Sequence, residues 1–393
     1  MAEVTLPTAD RRLETFRLRE PSPYWQDGGR ADRSTFNRIA IAAAHVVADP
    51  LAPHDPWLQP SIDWDRTLAY RDILWDLGLG VAEAMDTAQR GMGLAWPEAQ
   101  ELIARALDRA KGRSDDPVIA SGAGTDHLEP GPDVTLDQVI AAYEEQVGYV
   151  EGLGGRVILM ASRALAKAAK GPEDYARVYD RILSQVRRPV IIHWLGEMFD
   201  PALEGYWGSG DHMAAMDTCL DVLAANAAKV DGVKISLLSK EKEVAMRRRL
   251  PDGVRMYTGD DFNYAELIHG DAEGHSDALL GIFDPIAPAA SAALQALGKG
   301  SDNRFFDILE PTVPLSRHVF QAPTRFYKTG VVFLAYLNGF QDHFTMVGGQ
   351  QSARSAQHLA ELLRLADKAR LLRDPELAAR RMRDVMAVHG LAA

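Results

Sequence analysis

The sequence predicts an α/β fold, a (β/α)8 TIM barrel with an irregular N-terminal arm and a helical C-terminal extension. Three observations support this prediction. Short apolar stretches alternate with stretches of helical periodicity about eight times between residues 39 and 297, as in parallel strands joined by helices. Residues 1–35 are polar and interrupted by prolines and by Gly28-Gly29, which indicates a surface arm. Residues 299–393 contain no obvious strand pair, and their leucines suit an amphipathic helix.

The barrel is predicted to occupy residues 36–298. Each predicted strand is a short apolar run bounded by glycine, proline or polar residues. In chain order these runs are 39–47, 81–85, 117–121, 156–161, 189–193, 231–238, 255–258 and 276–281. The alanines of the first run leave a helix possible there, and an open, doubly wound sheet is the alternative to a closed barrel.

Helical signals lie between these runs. Pro97 suits the first turn of a helix that continues to Gly112. Thr135 and Gln138 have the spacing of a capping box, which predicts a helix to about Leu153. Further helices are predicted over 64–79, 172–186, 213–229, 241–250 and 288–297, with a helical start at 263–268.

Composition narrows the class of protein. The formal net charge of -12 argues against nucleic acid or an anionic membrane as a partner. The single cysteine, Cys219, excludes an internal disulfide and lies beside Leu220, as expected for a buried helix position. No apolar run approaches the ~20 residues of a membrane span, and the N-terminus lacks the apolar core of a signal peptide. A cytoplasmic location is therefore expected.

Lys234 lies in the middle of an apolar strand, between Val233 and Ile235. Lysine is rarely buried without a partner or a role, and one set of alternate side chains on a barrel strand points inward. Burial disfavours the ammonium form and lowers its pKa, which would make Lys234 a nucleophile that forms an imine with a carbonyl group.

Four stretches, in this order, resemble the dihydrodipicolinate synthase / N-acetylneuraminate lyase superfamily of class I aldolases. They are 62–80, Pro-Val-Ile-Ala-Ser-Gly-Ala-Gly at 117–124, Gly-Val-Lys at 232–234 and Tyr-Thr-Gly-Asp-Asp at 257–261. The chain is similar to a divergent branch with longer termini, and the resemblance covers about residues 37–340. It implies a barrel, an imine-forming Lys234 and a dimer or tetramer.

Other positions depart from the family pattern. The loop that binds the substrate acid, Gly-Thr-Thr-Gly-Glu in the family, reads Asp-Thr-Ala-Gln-Arg at 86–90. The tyrosine that transfers protons in the family aligns with His193. These differences argue against dihydrodipicolinate synthesis itself.

The preferred hypothesis is a Schiff-base-forming lyase, of aldolase or dehydratase type, that acts on a small oxo acid or sugar-derived carbonyl compound. Lys234 would form the imine, and His193 would transfer protons, since its unperturbed pKa lies near neutrality. Polar residues at predicted strand ends would bind the substrate: Thr87, Arg90, Thr125, Asp126 and Asp260. Purely structural roles stay open for His193 in a loop hydrogen bond, for Arg90 in an ion pair and for Asp260 as a helix cap. The hypothesis requires neither a cofactor nor a metal.

Two other classes stay open. Imidazole and carboxylate side chains near predicted strand ends could bind a divalent metal for sugar isomerisation or cleavage; they are His193, Glu197, Asp260, His275 and Asp277. Lys234 would then stabilise charge. The chain could also be a non-catalytic barrel that binds a small ligand. A homo-oligomer is expected in addition, because apolar stretches such as 331–337 suggest more helical surface than one barrel covers.

Overall fold

Eight parallel strands close into a barrel in the order in which they occur in the sequence. The computed structural model describes residues 2–25 and 30–391. The barrel strands are β3 (Ala40–Ala43), β4 (Gly80–Glu83), β5 (Ile119–Ala123), β6 (Arg156–Met160), β7 (Val190–Leu195), β8 (Val230–Ser236), β9 (Arg255–Thr258) and β10 (Asp277–Leu280). Pairing of Ala278 with Ala40 joins the last strand to the first, which excludes the open sheet. The predicted barrel is confirmed.

Helices follow the strands and cover the outside of the barrel. They are α1 (Trp64–Asp76), α2 (Trp96–Lys111), α3 (Leu136–Gly152), α4 (Arg163–Ala168), α5 (Pro172–Leu183), α6 (His212–Ala225), α7 (Lys240–Arg247), α8 (Tyr264–His269) and α9 (Ala287–Gly298). The predicted local signals are present: Pro97 lies in the first turn of α2, and Thr135 and Gln138 form the capping box of α3. Cys219 is buried in α6, and burial raises the pKa of its thiol.

The N-terminal arm is more regular than predicted. Residues Glu3–Pro7 (β1) and Leu13–Arg17 (β2) form an antiparallel hairpin. Two-stranded hairpins are marginal in isolation, and this one packs on the C-terminal helices, where the side chain of Arg364 donates to the carbonyl oxygen of Pro7 at 2.9 Å. The irregular structure predicted for this segment from its prolines and glycines is therefore wrong. Gly28-Gly29 lie outside the described residues.

The C-terminal extension is helical, as predicted. It consists of α10 (Asp302–Leu309), α11 (Val313–Val319), α12 (Tyr327–Leu337), α13 (Ala356–Lys368) and α14 (Pro375–Val388). Every residue of α12 is buried within the chain, so the apolar stretch 331–337 is covered without a second subunit. That stretch no longer argues for a homo-oligomer, which stays a prediction of the family resemblance. In the part of the chain that is described, no helix combines the length and apolarity needed to cross a membrane.

Glu243 on α7 is a buried carboxyl group with one hydrogen-bonded oxygen. The Ser276 hydroxyl donates to its Oε1 at 2.7 Å, whereas its Oε2 has no hydrogen-bond partner in the described chain. Burial raises the pKa of Glu243 from 4.5 to about 8. The folded protein therefore holds this proton over a pH range in which the unfolded chain has released it.

We expect Glu243→Gln to stabilise the protein at pH 8 and to have little effect at pH 5. A carboxyl pKa that is higher in the folded state gives stability below pH 4.5 that is lost as pH rises toward 8, at up to about 1.4 kcal/mol per pH unit. The glutamine amide does not titrate, so the variant should lose less stability than the wild type as pH rises. Urea denaturation midpoints at both pH values measure it, with Glu241→Gln on the exposed side of the same helix as the control. Equal pH dependence in wild type and Glu243→Gln would contradict this assignment.

Candidate active site

Lys234 points into the barrel near the carboxyl ends of the strands. Its neighbours in register are His193 on β7 and Tyr257 on β9. Paired residues of a sheet project to the same face, and Tyr257 belongs to the cluster inside the barrel. Val233 and Ile235, on either side of Lys234, belong to the outer cluster packed against the helices. The period-2 pattern thus places the lysine inside and its neighbours outside.

The environment of Lys234 favours a reactive amine. Only 6% of the residue is exposed, and this burial lowers the pKa of its ammonium group, although the carboxyl groups of Asp86 and Asp261 oppose the shift. Burial also raises the pKa of Asp261 to about 7, and its Oδ1 accepts the Ile282 N–H at 2.9 Å. Burial thus favours the neutral amine of Lys234, while the two carboxyl groups favour positive charge on its nitrogen.

His193 lies beside Lys234 and is held uncharged. Its Nε2 shares a hydrogen bond of 3.1 Å with the hydroxyl of Ser236, two residues after Lys234 on the same strand. Burial, and then the charge of Lys234, lower the pKa of His193 well below 6.5. The imidazole is therefore neutral at pH 7 and can act as a hydrogen-bond partner or a weak base, but not as a standing cation.

A cavity of about 470 Å³ opens at this end of the barrel. Four of the predicted site residues line it: His193, Arg90, Thr125 and Asp126. Lys234 is not among the lining residues. It lies on the adjacent strand, β8, beside His193, which does line the cavity. Charged side chains that the sequence analysis did not select complete much of the wall: Asp86, Arg163, Asp200 and Arg325.

Arg90 and Asp126 bind each other. The guanidinium donates to both carboxylate oxygens at 2.7 and 2.9 Å, and it also donates to Gln146 and to two backbone carbonyl oxygens. Burial disfavours the charged form of Asp126, but Arg90 and Gln146 outweigh it, and the pKa of the carboxyl is lowered. This pair uses most of its hydrogen-bonding capacity within the protein and forms a rigid side of the cavity.

The other three predicted binding residues also have partners within the chain. The Thr87 hydroxyl shares a hydrogen bond of 2.8 Å with the Tyr327 hydroxyl of α12. Thr125 shares one of 2.6 Å with Ser162. Asp260 accepts the N–H groups of Phe262 and Asn263 in the turn before α8. It does not cap that helix, whose N-cap residue is Asn263 and has no side-chain cap hydrogen bond. Of these three, Thr125 alone lines the cavity.

Among the charged residues that sequence reasoning missed are Asp86 and Lys328. Asp86 lies three residues after Glu83, the last residue of β4, and its charge opposes the effect of burial on the pKa of the amines of both Lys234 and Lys328. Its position just beyond a barrel strand was a usable signal, because active-site residues of this fold gather at the carboxyl ends of strands. Lys328 is on α12, and no local pattern indicated that this helix reaches the site.

The residues of the alternative metal site do not come together. His275 and Asp277 line a different cavity of about 840 Å³ at the amino ends of the strands, whereas His193 lines the cavity at the carboxyl ends. Glu197 pairs with His212 at 3.1 Å. Over residues 2–25 and 30–391, no group of three or more His, Cys, Asp or Glu side chains is arranged to hold a metal ion.

The comparison with protein families gives one match over nearly the whole chain. Residues 4–391 match the family described as "Protein of unknown function (DUF993)". No curated protein matches by sequence.

Solved structures show the same barrel at low sequence identity. Dihydrodipicolinate synthase from Aquifex aeolicus has a TM-score of 0.63 at 13% identity, covering 86% of this chain and 100% of that one. A putative dihydrodipicolinate synthetase from Pseudomonas aeruginosa has a TM-score of 0.62 at 15% identity, covering 84% and 99%. A prophage protein of the dihydrodipicolinic acid synthase family from E. coli K12, in complex with pyruvate, has a TM-score of 0.62 at 16% identity, covering 85% and 99%. These similarities establish the fold, in agreement with the resemblance read from the sequence.

Proposed function

Since the chain belongs to the DUF993 family and has the barrel of the dihydrodipicolinate synthases, we propose that it is a Schiff-base-forming lyase of the class I aldolase type. Its substrate would be a small oxo acid or a sugar-derived carbonyl compound. The observation that carries the proposal is the position of Lys234, which is buried inside the barrel at the carboxyl ends of the strands with its pKa lowered. A solvated lysine has a pKa near 10.4 and is almost entirely protonated at pH 7.

The proposed reaction begins with attack of the neutral Lys234 amine on the substrate carbonyl carbon. The carbinolamine loses water to give an iminium ion, which withdraws electrons so that a bond β to it can break. Asp86 and Asp261 lie where their carboxyl groups compensate positive charge on the Lys234 nitrogen. Such fixed charges around a developing ion supply much of the stabilisation in a buried site.

His193 is the proposed partner for proton transfer to and from this intermediate. It is the lateral neighbour of Lys234 and lines the cavity in which a substrate would sit. Its neutral state suits acceptance of a proton, and the Ser236 hydroxyl fixes the ring through Nε2. The part of the cavity wall that a bound compound would face includes Arg90, Asp126 and Thr125. Thr87 and Asp260, which are engaged in internal hydrogen bonds, would support the site from outside the cavity.

Trapping with borohydride tests the proposal. We expect one member of a panel of 2-oxo acids and keto sugars to add its own mass less one oxygen atom to the protein, because the imine loses water and then gains two hydrogens. Peptide mapping should place the addition at Lys234, and a chelator should not prevent it. No adduct with any compound, together with a turnover that a chelator abolishes, would favour the metal-dependent class. Ligand-induced thermal stabilisation without turnover or adduct would favour the non-catalytic barrel.

A further inference from the structure

Lys328 is a second buried lysine, and no carboxylate of the described residues forms an ion pair with it. Only 5% of the residue is exposed. Its Nζ donates to the carbonyl oxygen of Arg325 at 3.0 Å and lies 3.3 Å from the sulfur of Met92, and among the residues described no carboxylate oxygen lies within 4.0 Å. The Nζ also lies over the ring of Tyr327, 4.8 Å from the ring centroid. Its contacts are thus a carbonyl oxygen, a weakly accepting thioether and an aromatic face, none of which carries a full negative charge. Buried charge is costly unless it is paired, so this ammonium lacks the counter-charge that its position requires.

The cavity is the place from which a counter-charge could come. The four charged groups that act on Lys328 are Asp86, Asp200, Arg163 and Arg325, and all four line the cavity beside Lys234. Burial lowers the pKa of Lys328 to about 8, so about nine-tenths of it still carries a positive charge at pH 7. Lys328 does not itself line the cavity, but its largely protonated amine contacts the backbone of Arg325, which does.

Arg325 adds a second unpaired cation at the same place. It is exposed, lines the cavity and stacks over the ring of Phe326 at 5.0 Å. Over the described ranges its guanidinium donates no hydrogen bond. The other two arginines of the wall differ, since Arg90 pairs with Asp126 at 2.7 Å and Arg163 pairs with Asp200 at 2.5 Å. Among the described residues, Arg325 in the cavity wall and Lys328, whose Nζ contacts the Arg325 backbone, are therefore cations without a carboxylate partner that a ligand could pair.

We propose that Lys328 and Arg325 bind an acidic group, a carboxylate or a phosphate, at the far end of the carbonyl compound that Lys234 attacks. The Thr87–Tyr327 hydrogen bond of 2.8 Å and the contact of Lys328 Nζ with the Met92 sulfur place the start of α12 against the segment that follows β4, at the barrel end where Lys234 lies. An oxyanion would supply the charge that Lys328 lacks, and Arg325 could bind it through two N–H groups. This inference rests on the proposed function and narrows its substrate class to oxo compounds with an acidic group remote from the carbonyl.

The test compares carbonyl probes that differ only in the remote acid. Succinic semialdehyde is paired with butanal, and glyceraldehyde 3-phosphate with glyceraldehyde, so that the two pairs distinguish carboxylate from phosphate. The concentration that gives half-maximal borohydride trapping is measured for each probe. For wild type we expect at least one acidic probe to have a half-maximal concentration about ten-fold lower than that of its neutral partner. This is the usual effect of one charge-assisted hydrogen bond.

Matched variants assign the effect to the two cations. Lys328→Met should remove the preference for the acidic probe and Arg325→Gln should reduce it, so the ratio between the half-maximal concentrations of the neutral and the acidic probe should fall toward one. Lys229→Met and Arg187→Gln are the controls. Lys229 also donates to a carbonyl oxygen, just before β8, and Arg187 is exposed before β7, so both lie at the amino end of the barrel. Both controls should keep the preference.

The outcomes separate this inference from the proposed function. Equal trapping of acidic and neutral probes by wild type would overturn the acidic subsite and leave the imine chemistry standing. If no probe is trapped, the proposed function fails. The acidic subsite is then tested by the melting temperatures of wild type and Lys328→Met in butyrate or inorganic phosphate. Stabilisation of wild type but not of Lys328→Met would then support an acid-binding site without imine chemistry. Equal stabilisation of both, or none, would overturn the subsite as well.

Discussion

Lys234→Arg should abolish borohydride trapping as completely as Lys234→Ala, with turnover reduced to background. The guanidinium group stays protonated at any workable pH, so it cannot attack a carbonyl carbon. Arginine keeps the positive charge near Asp86 and Asp261, and it therefore separates loss of the nucleophile from loss of charge. Intact-protein mass after reduction and steady-state turnover with the trapped compound measure the two effects. Melting temperatures of the variants show that each is folded.

His193→Phe provides the contrasting variant. Lys234 remains in place, so imine trapping should persist, but turnover should fall by about 10²–10⁴-fold, the usual contribution of general acid–base catalysis. The Lys234 variants would then be blocked before the imine forms, and His193→Phe would be blocked after it forms. An active Lys234→Arg enzyme that a chelator inhibits would exclude the Schiff base and favour the metal-dependent mechanism.

Arg71→Met should destabilise the protein by about 3–5 kcal/mol, the usual cost of leaving one member of a buried ion pair without its partner. Arg71 on α1 and Glu83 at the end of β4 are fully buried and form two parallel hydrogen bonds of 2.8 and 2.9 Å. Arg71 also donates to the carbonyl oxygens of His45 and Thr67. The variant leaves the Glu83 carboxylate in the core without a counter-charge. Urea denaturation at pH 7 measures the loss.

The double variant Arg71→Met/Glu83→Leu is the control for this ion pair. It removes both charges, so it should recover part of the stability that Arg71→Met loses. A double variant no more stable than Arg71→Met would attribute the loss to packing and to the backbone carbonyls, and not to the unpaired carboxylate. Glu83 lies three residues before Asp86 in the chain, so the buried pair also fixes the strand end from which the active-site loop starts.

Local sequence patterns determined the barrel and the position of Lys234 within it. Alternating apolar runs and helical stretches predicted strands and helices close to the observed ones, because side-chain periodicity within one element depends on neighbouring residues alone. The same periodicity placed Lys234 inside the barrel and Val233 and Ile235 outside. The Gly-Val-Lys and Thr-Gly-Asp-Asp stretches gave the family resemblance, and the similarity of solved structures at 13–16% identity supports that fold.

Tertiary structure alone decided which polar residues are free to act. Arg90 and Asp126 were both predicted to bind substrate, but they meet across two loops and satisfy each other. Asp260 accepts hydrogen bonds from the backbone N–H groups two and three residues later in its own chain. Lys328, by contrast, comes from a helix far along the sequence, and the packing of α12 brings its Nζ against Met92 in the segment that follows β4. Whether a charged side chain is paired or available depends on which distant elements lie against it, and residue type and spacing along the chain carry no such information.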